Sequence, residues 1–149
     1  MPPIILEDTF RIERLDPDGR VYQRVSRMEC ATATGSLKIT SDINVEEFPL
    51  MENTCLVIAL ATTLNEDGTM EKKVYDHSVY HRATLLNRYD YAMHGRVYEI
   101  NMNADTGEVV AFISCGGLLT KIEGLHSSLK DIQYNTDLFI LVKKASGQM

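Results

Sequence analysis

Alternation of apolar and polar residues with a period of two is the pattern that recurs along this chain. Within residues 37–46 every second position tends to be apolar: Leu37, Ile39, Ile43 and Val45. A second run, over residues 89–97, alternates in the same way. Each run is typical of a β-strand that buries one face and leaves the other in water.

Other segments are apolar at successive positions, or alternate more weakly, and predict the remaining strands. Cys55–Ala61 is apolar throughout, as expected for a strand covered on both sides. Strands are also predicted at five further places: Ile4–Ile12, Val21–Thr32, Val109–Cys115, Leu118–Ile122 and Leu138–Val142. Helical spacing is nearly absent: Leu125, Leu129 and Ile132 are enough for a turn or two, and Ala83, Leu85 and Leu86 for one further turn.

Seven or eight short strands with so little helix predict an all-β fold. We expect an antiparallel barrel of about eight strands, closed or nearly closed, because closure removes exposed strand edges. One domain should span residues 1–143, with a flexible tail at 144–149. Residues 64–88 show no sustained pattern and predict one long loop, which is usually functional or mobile at that length.

Glycines and turn sequences mark the breaks between the predicted strands. Asp16-Pro17-Asp18-Gly19 has proline and glycine where a type I turn prefers them. Gly95 lies inside a strand pattern, which indicates a bulge or a close backbone approach. Gly116-Gly117 is the only glycine pair and indicates a kink between two strands.

Composition and charge narrow the classes of function. Fifteen Lys and Arg against 21 Asp and Glu give a net charge of −6, which disfavours a protein built to grip duplex DNA. The longest apolar run has seven residues, whereas a membrane helix needs about 20. The first ten residues lack the basic region of a signal peptide. Three widely spaced cysteines fit a reducing compartment, each as a small buried hydrophobe.

Signatures of catalysis are missing from the sequence. There is no Gly-x-Ser-x-Gly elbow and no phosphate-binding loop. Glu46 and Glu47 are adjacent and would point to opposite faces of a strand, so they predict no shared acid–base site. His77 and His81 have a metal-ligand spacing but no Cys-x-x-Cys beside them. We therefore predict no catalytic residue, no metal, no cofactor and no small-molecule substrate.

A weak signal for nucleic-acid binding lies in residues 16–40. Arg20, Tyr22 and Arg24 share a parity, so a regular strand would project an aromatic ring between two cations. Lys38 is a possible neighbour, while Arg27 has the opposite parity and joins only through a bulge. A solvated strand face would show the same pattern.

At this point the residues resemble a known family, the small subunit shared by eukaryotic nuclear RNA polymerases I, II and III and usually called subunit 8. The resemblance covers essentially the whole chain apart from the tail. It is carried by the following segments, in order: Leu6–Phe10, Asp16–Gly19, Arg24–Arg27, Asp42–Val45 with Phe48-Pro49, Tyr91–Tyr98, Ser114–Leu119 and Leu138–Lys144.

The resemblance implies a fold, a place and a set of partners. It implies an antiparallel barrel of the oligonucleotide/oligosaccharide-binding type and a non-catalytic role in the nucleus. The partners would be the largest polymerase subunit and neighbouring small subunits, with weak single-stranded DNA binding along the stretch matching residues 16–40. Gly116, Gly117, Leu118 and Leu119 would help to dock the largest subunit.

The sequence departs from the family pattern at two places. These departures bear on the detail of the contact with the largest subunit and not on the resemblance to the family. Cys115 stands where the family usually has an aromatic residue, and Thr120-Lys121 stand where Met-Arg is usual. The alternative function is a free-standing single-strand nucleic-acid-binding protein on the same barrel. Such a protein should carry a cationic groove and several stacking aromatics, whereas this chain is acidic and has no tryptophan.

Overall fold

Eight β-strands and one helical turn make up the structure, a computed structural model that describes residues 4–17, 19, 24–63 and 88–145. The elements are β1 (Ile4–Leu15), β2 (Val25–Ala31), β3 (Leu37–Asn44), β4 (Cys55–Ala61), β5 (Tyr91–Met102), β6 (Glu108–Cys115), β7 (Leu118–Leu125), α1 (His126–Leu129) and β8 (Asp137–Lys144). Residues 64–87 of the predicted loop lie outside the described residues, as do residues 146–149 of the predicted tail.

The strands close into one barrel in the order β1-β2-β3-β7-β6-β5-β8-β4. Every pairing around the ring is antiparallel. The prediction of an all-β antiparallel barrel with about eight strands is confirmed. Within the described residues, the one helical turn falls far short of what a membrane-spanning helix requires.

The interior is filled by alternate residues of the strands, as the period of two predicts. Fully buried members come from opposite walls: Phe10, Ile39, Ile58, Ile113 and Ile122. Near one end of β3, Phe48 follows the strand and packs against Tyr91 with ring centroids 5.6 Å apart. The Asn44 backbone N–H donates to the Tyr91 hydroxyl at 3.2 Å, so this hydroxyl also satisfies a backbone donor.

The outer faces of β4 and β8 are covered as well, which explains why their sequences are apolar at both parities. Ala59 and Leu141 lie opposite each other on these faces and are fully buried. Tyr89 joins them in a small second core and donates its hydroxyl hydrogen to Glu7. Burial, helped by Glu7, raises the pKa of Tyr89 to about 12. The prediction that Cys55–Ala61 is covered on both sides is confirmed.

Strand β5 departs most from its predicted limits. It begins at Tyr91 and continues five residues beyond Val97. The register against β6 shifts between Val97 and Glu99, and Tyr98 and Glu99 are both exposed, as at a β-bulge. The bulge changes which parity faces inward, so the alternation that revealed the strand could not be followed past it.

Gly95 makes the close approach that its place in a strand indicated. A Cβ atom there would lie 2.5 Å from the Cys115 Sγ atom and 2.5 Å from the Ser114 carbonyl oxygen. Strands β5 and β6 therefore require glycine at this position.

Two of the cysteines behave as small buried hydrophobes. Burial raises the pKa of the Cys30 thiol to about 12 and that of Cys115 to about 11. Both thiols therefore stay protonated at neutral pH, as the sequence predicts for buried cysteine. Cys55 is only half-buried.

Candidate protein-interaction site

A tight hairpin joins β6 to β7 through Gly116 and Gly117. Their φ angles are +60° and +93°, the left-handed conformations that a two-residue type I′ turn demands. The glycine pair is thus a reversal between two paired strands. Nothing lies within 4 Å of a Cβ atom built at either glycine, so the space beside the turn is open to the backbone of a partner.

Leu118 and Leu119 follow the turn and face opposite sides of the barrel wall. Leu118 is half-buried and packs against the main core. Leu119 points outward and is 42% exposed. Sequence alternation left open whether both leucines are core residues, and the structure places only Leu118 against the core.

Asp42 of β3 anchors this hairpin, a role that its place in the Asp42–Val45 segment did not indicate. The Leu119 amide N–H donates to the Asp42 Oδ2 atom at 3.0 Å. The backbone ladder between β3 and β7 ends one step earlier, at Ser41 opposite Thr120. The carboxylate therefore serves as acceptor for a backbone N–H where the ladder stops.

The same carboxylate holds Arg27 of β2. The Arg27 Nε atom donates to Oδ1 at 2.8 Å, and Nη2 donates to Oδ2 at 3.3 Å. Asp42 is 8% exposed, so three hydrogen bonds stabilise a charge that has little access to water. Strands β2, β3 and β7 are joined through this one side chain.

Three of the five residues predicted for nucleic-acid binding are described, and these three do not form one compact patch. Arg20 and Tyr22 lie outside the described residues. Arg24 precedes β2 and forms an exposed ion pair with Glu46 at 3.3 Å. Lys38 lies at the other end of the β2–β3 pair, opposite Ala31. Six residue steps separate the two ends, or about 20 Å at the rise of a β-strand.

Lys38 therefore lies at a distance from Arg24 along this strand pair. Parity within one strand does not determine such a distance, because the order of residues across two strands depends on the register of their pairing. Arg27 is described too, but its guanidinium is held by Asp42.

Among the described residues, no group of three metal-ligating side chains comes together. His77 and His81 lie outside those residues. What the described part does present is a closed barrel with an exposed, rigidly anchored hairpin. This architecture defines a class of protein, the small closed antiparallel β-barrel.

Comparison with known proteins identifies the family within that class. The family model described as RNA polymerase Rpb8 matches residues 7–144, and the chain therefore belongs to the Rpb8 family. The matched range includes all eight strands apart from the first three residues of β1, and it includes the β6–β7 hairpin.

Relatives from distant eukaryotes are similar along nearly their whole length. A Caenorhabditis elegans protein, "Probable DNA-directed RNA polymerases I, II, and III subunit RPABC3", is 34% identical over 97% of this chain and 98% of the relative. The Dictyostelium discoideum protein of the same polymerases, subunit rpabc3, is 32% identical over 97% and 100%. "DNA-directed RNA polymerases II, IV and V subunit 8B" of Arabidopsis thaliana is 32% identical over 95% and 96%.

These findings confirm the family that the sequence motifs resemble. Each relative is named as a subunit of DNA-directed RNA polymerases, which supports the prediction of a non-catalytic subunit. The names differ in the set of polymerases served, so family membership leaves that set open.

Proposed function

We propose that this protein is a non-catalytic structural subunit of nuclear RNA polymerases I, II and III. It docks on the largest subunit beside neighbouring small subunits and supports assembly and transcription. The observation that carries this proposal is the family match over residues 7–144. The relatives named as polymerase subunits are similar to this chain along nearly their whole length. The acidic chain, at −6, favours this role over that of a free-standing single-strand binder.

The β6–β7 hairpin is the part of the barrel that we propose for docking on the largest subunit. Leu119 offers an apolar side chain to a partner, and the open space beside Gly116 and Gly117 admits a partner backbone. Asp42 fixes the conformation of the hairpin before binding. A preorganised contact loses less conformational entropy on association, so a small hairpin can contribute substantially.

Aspartate substitutions at the two leucines should have different consequences. Leu118→Asp places a charge against the core and is expected to unfold the protein or leave it largely insoluble. Leu119→Asp should leave the thermal unfolding midpoint close to that of the wild type and reduce co-purification of the largest polymerase subunit at least fivefold.

Met51→Asp is the matched control for Leu119→Asp, because Met51 is an exposed apolar residue, 73% accessible, and lies beside β1, away from the hairpin. Co-purification should stay near the wild-type level in this control. Equal co-purification of the Leu119 and Met51 variants would contradict docking through the hairpin. Unfolding of both the Leu118 and Leu119 variants would instead show that each leucine is needed for folding.

Weak, non-specific binding of single-stranded DNA is the second activity that we propose, centred on Arg20, Tyr22 and Arg24. Arg24 is exposed, and its ion pair with Glu46 stabilises by at most about 1 kcal/mol, so a phosphate can displace the carboxylate. Arg27, held by Asp42, and the distant Lys38 are secondary members of the site.

Binding of labelled oligothymidine, followed by fluorescence anisotropy, should weaken steeply with salt. Three or four contacted phosphates give a slope of about −2 to −3 in log K against log salt, at roughly −0.7 per contact. Arg24→Ala should weaken binding more than Lys38→Ala. An unchanged signal in the Arg20→Ala/Arg24→Ala double variant would show that these residues form only a solvated surface.

A further inference from the structure

The outer face of β5, β6 and β7 carries an apolar patch on a surface where polar residues are the rule. Tyr98, at the β5 bulge, is 42% exposed and lies 6.0 Å from the half-buried Phe112 between ring centroids. Val110, half-buried, is two residues from Phe112 on the same face of β6. We call Tyr98, Phe112 and Val110 the aromatic face.

Strand pairing defines the surroundings of the aromatic face. Phe112 lies between Glu99 of β5 and Lys121 of β7. Val110 lies between Asn101 and Glu123 in the next row. An apolar centre with a polar rim is the usual composition of a protein–protein contact, and tyrosine is among the residues that contribute most to binding.

The rim carries a net negative charge, because its cationic side chains are already paired with carboxylates of the same chain. Lys121 is paired with Glu123 at 3.7 Å, and Arg96, further along β5, is paired with Asp137 at 3.0 Å. Glu99 accepts a hydrogen bond from the Asn101 amide. In the part of the chain that the structure describes, neither Glu99 nor Glu108 has a cationic partner. The face thus presents two carboxylates that are not neutralised.

This charge distribution selects among the possible occupants. A second copy of the chain, related by a two-fold axis, would bring the same carboxylates towards each other. The phosphates of a nucleic acid and the headgroups of anionic lipids would be repelled for the same reason. A protein segment with an aliphatic side chain next to lysine or arginine would match both the apolar centre and the rim.

Closure of the barrel further restricts how such a segment can bind. Strand β6 is hydrogen-bonded to β5 on one side and to β7 on the other, so a partner strand cannot extend the sheet here. Binding must proceed through side chains that lie on the aromatic face.

We propose that the aromatic face binds a segment of another polymerase subunit that presents an aliphatic side chain flanked by lysine or arginine. This inference rests on the proposed function and adds to it a second surface, distinct from the Gly116-Gly117 turn, and the chemistry of its partner. The two contacts lie on adjoining parts of β6 and β7.

Photo-crosslinking in cells that assemble the full-length chain into polymerase tests the proposal. The photoreactive residue p-benzoyl-phenylalanine replaces Tyr98 in one variant and Glu13 in a control. Glu13 is exposed on β1, on the opposite side of the barrel ring from β6. Mass spectrometry then identifies the crosslinked peptide. We expect a polymerase-subunit peptide with lysine or arginine close to the crosslinked position at 98, and not the same peptide from position 13.

Two substitution pairs complete the test, with recovery of polymerase on the tagged chain as readout. Tyr98→Ala/Phe112→Ala and Glu99→Lys/Glu108→Lys should each lower recovery at least fivefold. Met51→Ala and Glu13→Lys, which remove an exposed apolar side chain and reverse an exposed charge near β1, on the other side of the barrel ring, should not. The charge-reversal pair leaves the apolar packing intact and so distinguishes a binding defect from a folding defect.

The outcomes separate this inference from the proposed function. If the wild type recovers polymerase while both pairs do so equally well, the aromatic face is not a docking surface and the proposed function stands. A crosslink from position 98 to a second copy or to nucleic acid also overturns the inference. If the wild type recovers no polymerase, the proposed function fails and this inference fails with it.

Discussion

Gly95→Ala is expected to destabilise the barrel by about 3 kcal/mol, towards the upper end of what overpacking costs. The new Cβ atom would lie 2.5 Å from both the Cys115 Sγ atom and the Ser114 carbonyl oxygen. The Cys115 side chain can rotate away, but the Ser114 carbonyl belongs to the backbone of β6. Strands β5 and β6 must therefore move apart. Chemical denaturation would measure the lost free energy of unfolding.

Two comparisons make the cause of that loss specific. Gly124→Ala should cost less, because the contact at 2.5 Å there is with the end of the flexible Leu37 side chain. Adding Cys115→Ala to Gly95→Ala should not restore stability, since the Ser114 carbonyl remains in place. A loss below about 1 kcal/mol for Gly95→Ala would contradict the close packing of β5 against β6.

Asp42→Ala is expected to lower the free energy of unfolding by about 2–4 kcal/mol, because hydrogen bonds to a charged group contribute about 1.5–3 kcal/mol each and are only partly additive. The change leaves the Leu119 amide without its acceptor and Arg27 without its carboxylate. The hairpin should also lose its anchor, so recovery of the largest polymerase subunit should fall with Asp42→Ala even at a temperature where the variant is folded.

Asp137→Ala is the matched control, since it also removes an aspartate that is bound to an arginine on a neighbouring strand. The Arg96–Asp137 pair has both side chains more than half exposed, and such pairs contribute at most about 1 kcal/mol. Asp42→Asn keeps an acceptor for the Leu119 amide and should lose less than Asp42→Ala. Equal losses at positions 42 and 137 would show that the buried carboxylate has no special role.

The strands could be predicted from the sequence because burial of one barrel face imposes a period of two. Cys55–Ala61 also revealed its second covered face, through apolar residues at both parities. Strand β5 was recognised only as far as Val97, since the bulge at Tyr98 reverses the parity. The same bulge turns Tyr98 and Glu99 outward together and so helps to form the aromatic face.

The candidate site was predictable only in part, because its contacts span distant positions of the chain. The glycine pair and its leucines are adjacent in sequence and could be singled out there. Asp42 accepts a hydrogen bond from the Leu119 backbone N–H, 77 residues away in the chain, and no local pattern predicts that pairing. The separation of Lys38 from Arg24 likewise follows from strand register, which periodicity does not determine.

Purification of the tagged, full-length chain from its own cells shows whether the protein is assembled into polymerases. We expect it to elute with assemblies the size of RNA polymerases and the largest subunits of polymerases I, II and III to co-purify with it. A tagged chain that elutes as a free protein of 149 residues, without any polymerase subunit, would contradict the claim that it is a shared polymerase subunit.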